Sequence, residues 1–112
     1  FTYQIYNILQ IRNMIELIRE HKISISPTIL DTPNYLDVSY APDALKNVAI
    51  TMIDNINPLN NTEKIFLRDC KNALGRNIFD KDKSKKMIEV TLLKDKYKNQ
   101  NFSDTEISKY YD

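Results

Sequence analysis

Few side chains in this sequence have the type and spacing that chemistry requires. Cys70 is the only cysteine and His21 the only histidine. One thiol forms no internal disulfide and holds no zinc ion or iron–sulfur cluster by itself. Phe66, Ala73 and Leu74 share its helical stripe, which favours a plain core cysteine over a reactive thiol. His21 falls near a predicted helix C-terminus, where a charged or capping imidazole is common. A Ser-His-Asp triad would have to use that histidine, and no serine stands in a nucleophile motif. Glu16 and Glu20 lie one helical turn apart, and a solvated face explains them better than a catalytic carboxylate pair. With Gly75 as the only glycine, a glycine-rich phosphate loop is excluded.

The basic stretch from Lys81 to Lys98 raises a second chemistry. It holds seven lysines against Asp82, Glu89 and Asp95, a local excess of +4. Phosphate contacts need such charge, but reading a nucleic acid also needs stacking or base-edge groups on the same face. Tyr97 is the one aromatic there, and its spacing from Met87, Val90 and Leu93 assigns it to a buried side. A solvated lysine face is the preferred reading, and nucleic acid is not the expected partner. A nucleic-acid accessory protein using 81–98 stays an alternative function, as does a small interaction module whose apolar helix faces dock a partner.

The elements that must position these residues follow from periodicity. Residues 1–7 are aromatic and β-branched, the signature of a strand. Ile8, Ile11, Met14, Ile15 and Ile18 recur at helical steps, and Ile23 and Ile25 alternate with serines in a second strand over 22–30. Strand, helix, strand predicts a βαβ unit with parallel strands. Asp31 to Asn34 is turn chemistry, and Leu36, Val38 and Tyr40 alternate like a short strand with one wet face. Pro42 and Asp43 open a helix whose stripe is Leu45, Val48, Ala49, Met52, Ile53 and Ile56. Asn60 to Thr62 caps a helix ending at Gly75, and another helix runs from about 85 to 98. Ser103 with Glu106 and Phe102 with Ile107 form a capping box and a hydrophobic staple, predicting a short last helix.

The expected fold class is therefore α/β: the βαβ portion of a partial (β/α) barrel over 1–57, followed by a helical C-terminal tail over 58–112. In parallel sheets and barrels, ligands gather at the carboxyl ends of strands. That rule singles out Asn7, Leu30 and Asp31, although Asn7 equally suits a cap and Asp31 a turn. The opening at Phe1, inside a predicted strand, is read as a chain cut from a larger protein, so the remainder of its own barrel is an expected partner. A 42% apolar and 28% charged composition with net charge +1 fits a soluble chain. No apolar run approaches the roughly 20 residues that span a bilayer. The expected location is the cytoplasm, without a membrane partner.

Several segments together resemble the C-terminal half of radical S-adenosylmethionine proteins of the twitch-domain type, common in phage genomes. They are Tyr3-Gln-Ile-Tyr-Asn-Ile8, Pro33-Asn-Tyr-Leu36, Ala41-Pro-Asp-Ala-Leu-Lys46 and Leu93-Lys-Asp-Lys-Tyr-Lys-Asn-Gln-Asn-Phe102. The chain departs from that pattern at Lys98, where Arg is usual, at Asn99, where Gly is usual, and in a last helix without Pro-Glu-Leu. The resemblance implies a barrel enzyme with a [4Fe–4S] cluster on a three-cysteine motif. That cluster would cleave S-adenosylmethionine reductively, and the radical formed would take a hydrogen atom from an unknown substrate. The motif is absent here and Cys70 matches no ligand position, so no metal or catalytic residue carries over. The segment alone is expected to bind neither cluster nor S-adenosylmethionine and to be inactive. Gln4 and Asn7, at the first strand's end, are the two cofactor-binding candidates.

Overall fold

The structure, a computed structural model, describes residues 2–21, 28–29, 34–98 and 102–111, with the side chains of 28–29 and 97–98 outside that description. Four helices make up most of it: α1 (Ile11–His21), α2 (Asp43–Asp54), α3 (Asn61–Leu74) and α4 (Lys81–Lys98). Single 3-10 turns at Ile5–Asn7, Asn34–Leu36, Val38–Tyr40, Phe102–Asp104 and Ser108–Tyr111 join or follow them.

The α/β expectation is overturned: this is a helical protein, not a portion of a (β/α) barrel. Extended pairing among the described residues is confined to β1 (Thr2–Tyr3) and β2 (Thr28–Ile29), parallel and two residues each. The expected strand over 1–7 stops after Tyr3 because Gln4 ends it. The Gln4 side chain accepts from the Tyr6 backbone N–H at 3.1 Å, and Asn7 Oδ1 accepts from the Gln4 N–H at 2.9 Å. Side chains that bond the nearby backbone this way offer it a turn in place of a ladder. Of the second expected strand, 22–27 and 30 lie outside the described residues, as do Asp31 and the turn to Pro33.

The wet-faced strand expected at Leu36–Tyr40 is two 3-10 turns instead, and Asp37 is the cause. Its Oδ1 accepts from the Ser39 N–H at 2.9 Å and from the Ser39 hydroxyl at 2.7 Å, while Asp37 N–H bonds Asn34 O. The two-residue alternation that imitated a strand comes from turns that bury Leu36, Val38 and Ser39. Arg76 and Asn77, just past α3, hold these turns from outside through Asp37 and the Ser39 hydroxyl.

The core draws on both sides of position 57, from Tyr3 through Cys70 to Ile107. Helix α1 buries Ile11, Met14, Ile15 and Ile18, as an apolar stripe of period 3.6 requires. Helix α2 buries Leu45, Ala49 and Ile53, with the Lys46 ammonium reaching Asn77 O at 2.8 Å. Helix α3 starts where Asn60 Oδ1 accepts from Glu63 N–H at 2.9 Å. It ends at Gly75 with φ −92°, right-handed backbone that any residue adopts. The α1–α3 contact is sealed by Arg19, whose guanidinium meets the buried Glu63 carboxylate at 2.6 Å and bonds Asn57 O at 2.8 Å.

Helix α4 begins at Lys81 rather than 85, because Asp80 Oδ1 accepts from the N–H groups of Asp82 and Lys83 at 2.9 and 3.0 Å. The short helix expected at the C-terminus is replaced by two 3-10 turns. Phe102 and Ile107 are both buried there, and the Phe102 N–H is taken by Asp95 of α4 at 2.6 Å. No helix among the described residues is long and apolar enough to cross a membrane.

Candidate functional site

Three segments distant in sequence meet along the last two turns of α4 and leave a cleft of about 600 Å³. The N-terminal turn gives Gln4 and Tyr6, α4 gives Thr91, Lys94 and Asp95, and the C-terminal turns give Phe102, Asp104, Thr105 and Ile107. Leu36 completes the floor.

Its wall is fixed by hydrogen bonds. The Thr91 hydroxyl donates to Met87 O at 2.7 Å, so the Tyr6 hydroxyl, 2.7 Å from Thr91 Oγ1, is the donor of that pair. Tyr6 is thereby held on α4, and the Asp95–Phe102 bond ties the opposite wall to the same helix. Thr105 Oγ1 donates to Phe102 O at 2.7 Å and closes the turn. The result is an apolar floor of Leu36, Phe102 and Ile107 under a rim with one ammonium, Lys94, and two carboxylates, Asp95 and Asp104.

Of the two predicted cofactor-binding residues, Gln4 lines this cleft and Asn7 does not. Asn7 is spent locally: Oδ1 caps Gln4 and Nδ2 donates to Thr2 O at 2.8 Å. Leu30 and Asp31 lie outside the described residues. His21 is exposed at the end of α1, and so are Glu16 and Glu20.

Cys70 is fully buried against Tyr3, and burial pushes its thiol up to about 12, with the Asp69 charge adding to the shift. A thiol held protonated in a dry core does not fit a cluster-ligand or nucleophile role, which needs the thiolate. Among the described residues no three His, Cys, Asp or Glu side chains converge on a metal-sized space.

The lysines of α4 divide into two sets. Lys83 lies 4.4 Å over the Tyr40 ring and pairs with Asp80, and Lys86 lies 5.3 Å over the Tyr35 ring. These two attach the helix to the 34–40 turns, so only part of the lysine run forms a free face. Family models, curated proteins and solved structures contain no match to this chain.

The residues that sequence reasoning missed are Thr91, Asp95 and Tyr6. Tyr6 and Thr91 are partnered across 85 positions, and Asp95 takes the Phe102 N–H just past the end of α4. A polar residue at an inward helical position, Thr91 one turn after Met87, was the signal available.

Proposed function

We propose that this chain is a small cytoplasmic protein-interaction module that works through the cleft beside α4. The occupant this cleft suits is a segment of a protein partner that presents an apolar side chain next to a basic one. Its apolar floor would take the first, and Asp95 and Asp104 at the rim exceed Lys94 in charge and would favour the second. The carrying observation is the construction of the cleft. The Tyr6–Thr91 and Asp95–Phe102 bonds each hold one wall of the cleft to α4, so little ordering cost remains for those walls on binding.

The test is fluorescence anisotropy of a labelled peptide alternating Leu and Lys, compared with one alternating Leu and Glu. The Leu/Lys peptide is expected to bind in a salt-dependent manner, and Asp104→Lys to weaken it about tenfold. Equal binding of both peptides, or indifference to Asp104→Lys, would overturn the reading.

A second reading draws on one specific observation: Gln4, which the family resemblance brings forward, lines the same cleft. Under it the chain is the C-terminal segment of a radical S-adenosylmethionine iron–sulfur enzyme, inactive alone, and the cleft faces the rest of that enzyme. The coding sequence preceding Phe1 would then carry Cys-x-x-x-Cys-x-x-Cys within about a domain's length. Continuous coding without that motif would remove it.

A further inference from the structure

One wall of the cleft is supplied by no helix of the core. Residues 102–111, two 3-10 turns, carry Phe102, Asp104, Thr105 and Ile107 of its lining. Hydrogen bonds of this segment run back into itself. Thr105 N–H donates to Phe102 O at 3.0 Å, Tyr110 N–H to Ile107 O at 3.0 Å, and the Ser108 hydroxyl to Thr105 O at 2.9 Å. The Phe102 N–H on Asp95 and the buried Phe102 and Ile107 side chains seat the segment on the rest of the molecule. A segment that keeps its own turns can lift without dismantling a helix or a ladder, which makes it a unit for local opening.

Its far end is seated at a cost. Tyr110 and Tyr111 border a second hollow of about 1090 Å³, together with Pro42, Phe79 and the first turns of α4. The Tyr111 hydroxyl, and that of Ser84 in the same lining, reach no solvent and have no hydrogen-bond partner. Buried polar groups are almost always paired, and an unpaired one forfeits the hydration it has when exposed. The Tyr111 ring packs against the core while its hydroxyl is stranded. Attraction and penalty thus meet in one side chain, so the docked position is held less firmly than its apolar contacts alone would hold it.

We propose that residues 102–111 are a strap that docks and lifts as one unit, and that the peptide cleft exists only while the strap is docked. This rests on the cleft reading given above and adds its regulation. Lifting hydrates the Tyr111 hydroxyl and takes Phe102, Ile107 and the Asp104 carboxylate out of the cleft. A peptide therefore binds the docked form alone and, by binding, holds the strap down.

Amide hydrogen exchange of the full chain tests this, read at Phe102, Thr105 and Tyr110, with Cys70 of α3 as the core reference. Tyr111→Phe deletes the stranded hydroxyl and keeps the ring, so exchange at all three amides should slow together by at least about fivefold. Tyr111→Ala gives up the ring and should speed them by at least about tenfold, with Cys70 unchanged. The Leu/Lys peptide at about ten times its Kd should slow Tyr110, which lies outside the cleft, by about tenfold. Unchanged or faster exchange in Tyr111→Phe, a change confined to one of the three amides, or wild-type strap exchange as slow as that of Cys70 would each overturn the strap. A peptide that binds without slowing Tyr110 would overturn its control of the cleft. A peptide that does not bind the wild type overturns the peptide reading instead, and the strap is then decided by the exchange of the two Tyr111 variants.

Discussion

Helices α3 and α4 follow each other in sequence and differ in how they are held. Helix α3 is attached by apolar packing: Phe66, Leu67, Cys70, Ala73 and Leu74 are all buried on one face. Helix α4 buries Ser84, Met87 and Thr91, and leaves Leu92 and Leu93 exposed at 53% and 61%. Its attachment is mostly polar, through Lys83 over Tyr40, Lys86 over Tyr35, Thr91 with Tyr6, and Asp95 with Phe102 N–H. An apolar stripe is a strong, non-directional anchor, whereas a polar seam fixes register and leaves grooves beside it. The two larger hollows found among the described residues, of about 600 and 1090 Å³, both flank α4.

The largest test of the contrast is truncation in each helix. Phe66→Ala on α3 should cost about 4 kcal/mol, as removal of a fully buried aromatic does. Leu93→Ala on α4 should change stability by less than about 0.5 kcal/mol, since that side chain faces solvent. Urea unfolding of both variants reads the difference. A Leu93 cost comparable with that of Phe66 would mean that α4 is seated by its apolar residues after all.

A smaller effect sharpens the α3 side. Glu63 is buried, and its carboxyl lies below the usual range, first through the hydrogen bonds from Arg19 and then through the Leu59 N–H. A lowered folded-state value means that the stabilisation is present above the unfolded carboxyl's pKa and is lost as pH falls through the folded one. Glu63→Gln should therefore cost about 2 kcal/mol at neutral pH, less than a sealed pair would because Arg19 is 31% exposed and regains water. The cost should shrink in acid. A pH-independent difference between wild type and variant would place the effect in packing instead.

The same contrast explains how far the sequence could be read. Helix α3 was legible from Asn60 to Leu74, because its cap and its apolar period are local properties. Helix α2 was legible likewise, with Val48 and Met52 less buried than their spacing predicts. The α4 face was misread: Met87, Val90 and Leu93 match a helical period, yet the buried set is Ser84, Met87 and Thr91. Periodicity counts apolar residues and is blind to a Thr bonded to a distant tyrosine, or to a Ser turned inward beside it. The strand expected at 36–40 failed for a related reason, since Asp37 folds the chain back through bonds that alternation does not reveal. Of the candidate site, Gln4 was found at the strand end, and the residues opposite it belong to segments more than 85 positions away.

The smallest effect bears on the polar seam itself. In Thr91→Val the shape of the side chain is nearly kept, while the Tyr6 hydroxyl loses its acceptor. Tyr6 is half-buried, so water recovers part of that loss and the expected cost is about 1 kcal/mol. Tyr6→Phe should cost a similar amount for the same reason. The double variant leaves neither hydroxyl unpaired, so its cost should fall below the sum of the two single costs, a coupling of at least about 0.5 kcal/mol in a double-mutant cycle. Additive costs would show that the 2.7 Å contact carries no energy of its own, and α4 would then need another explanation for its register.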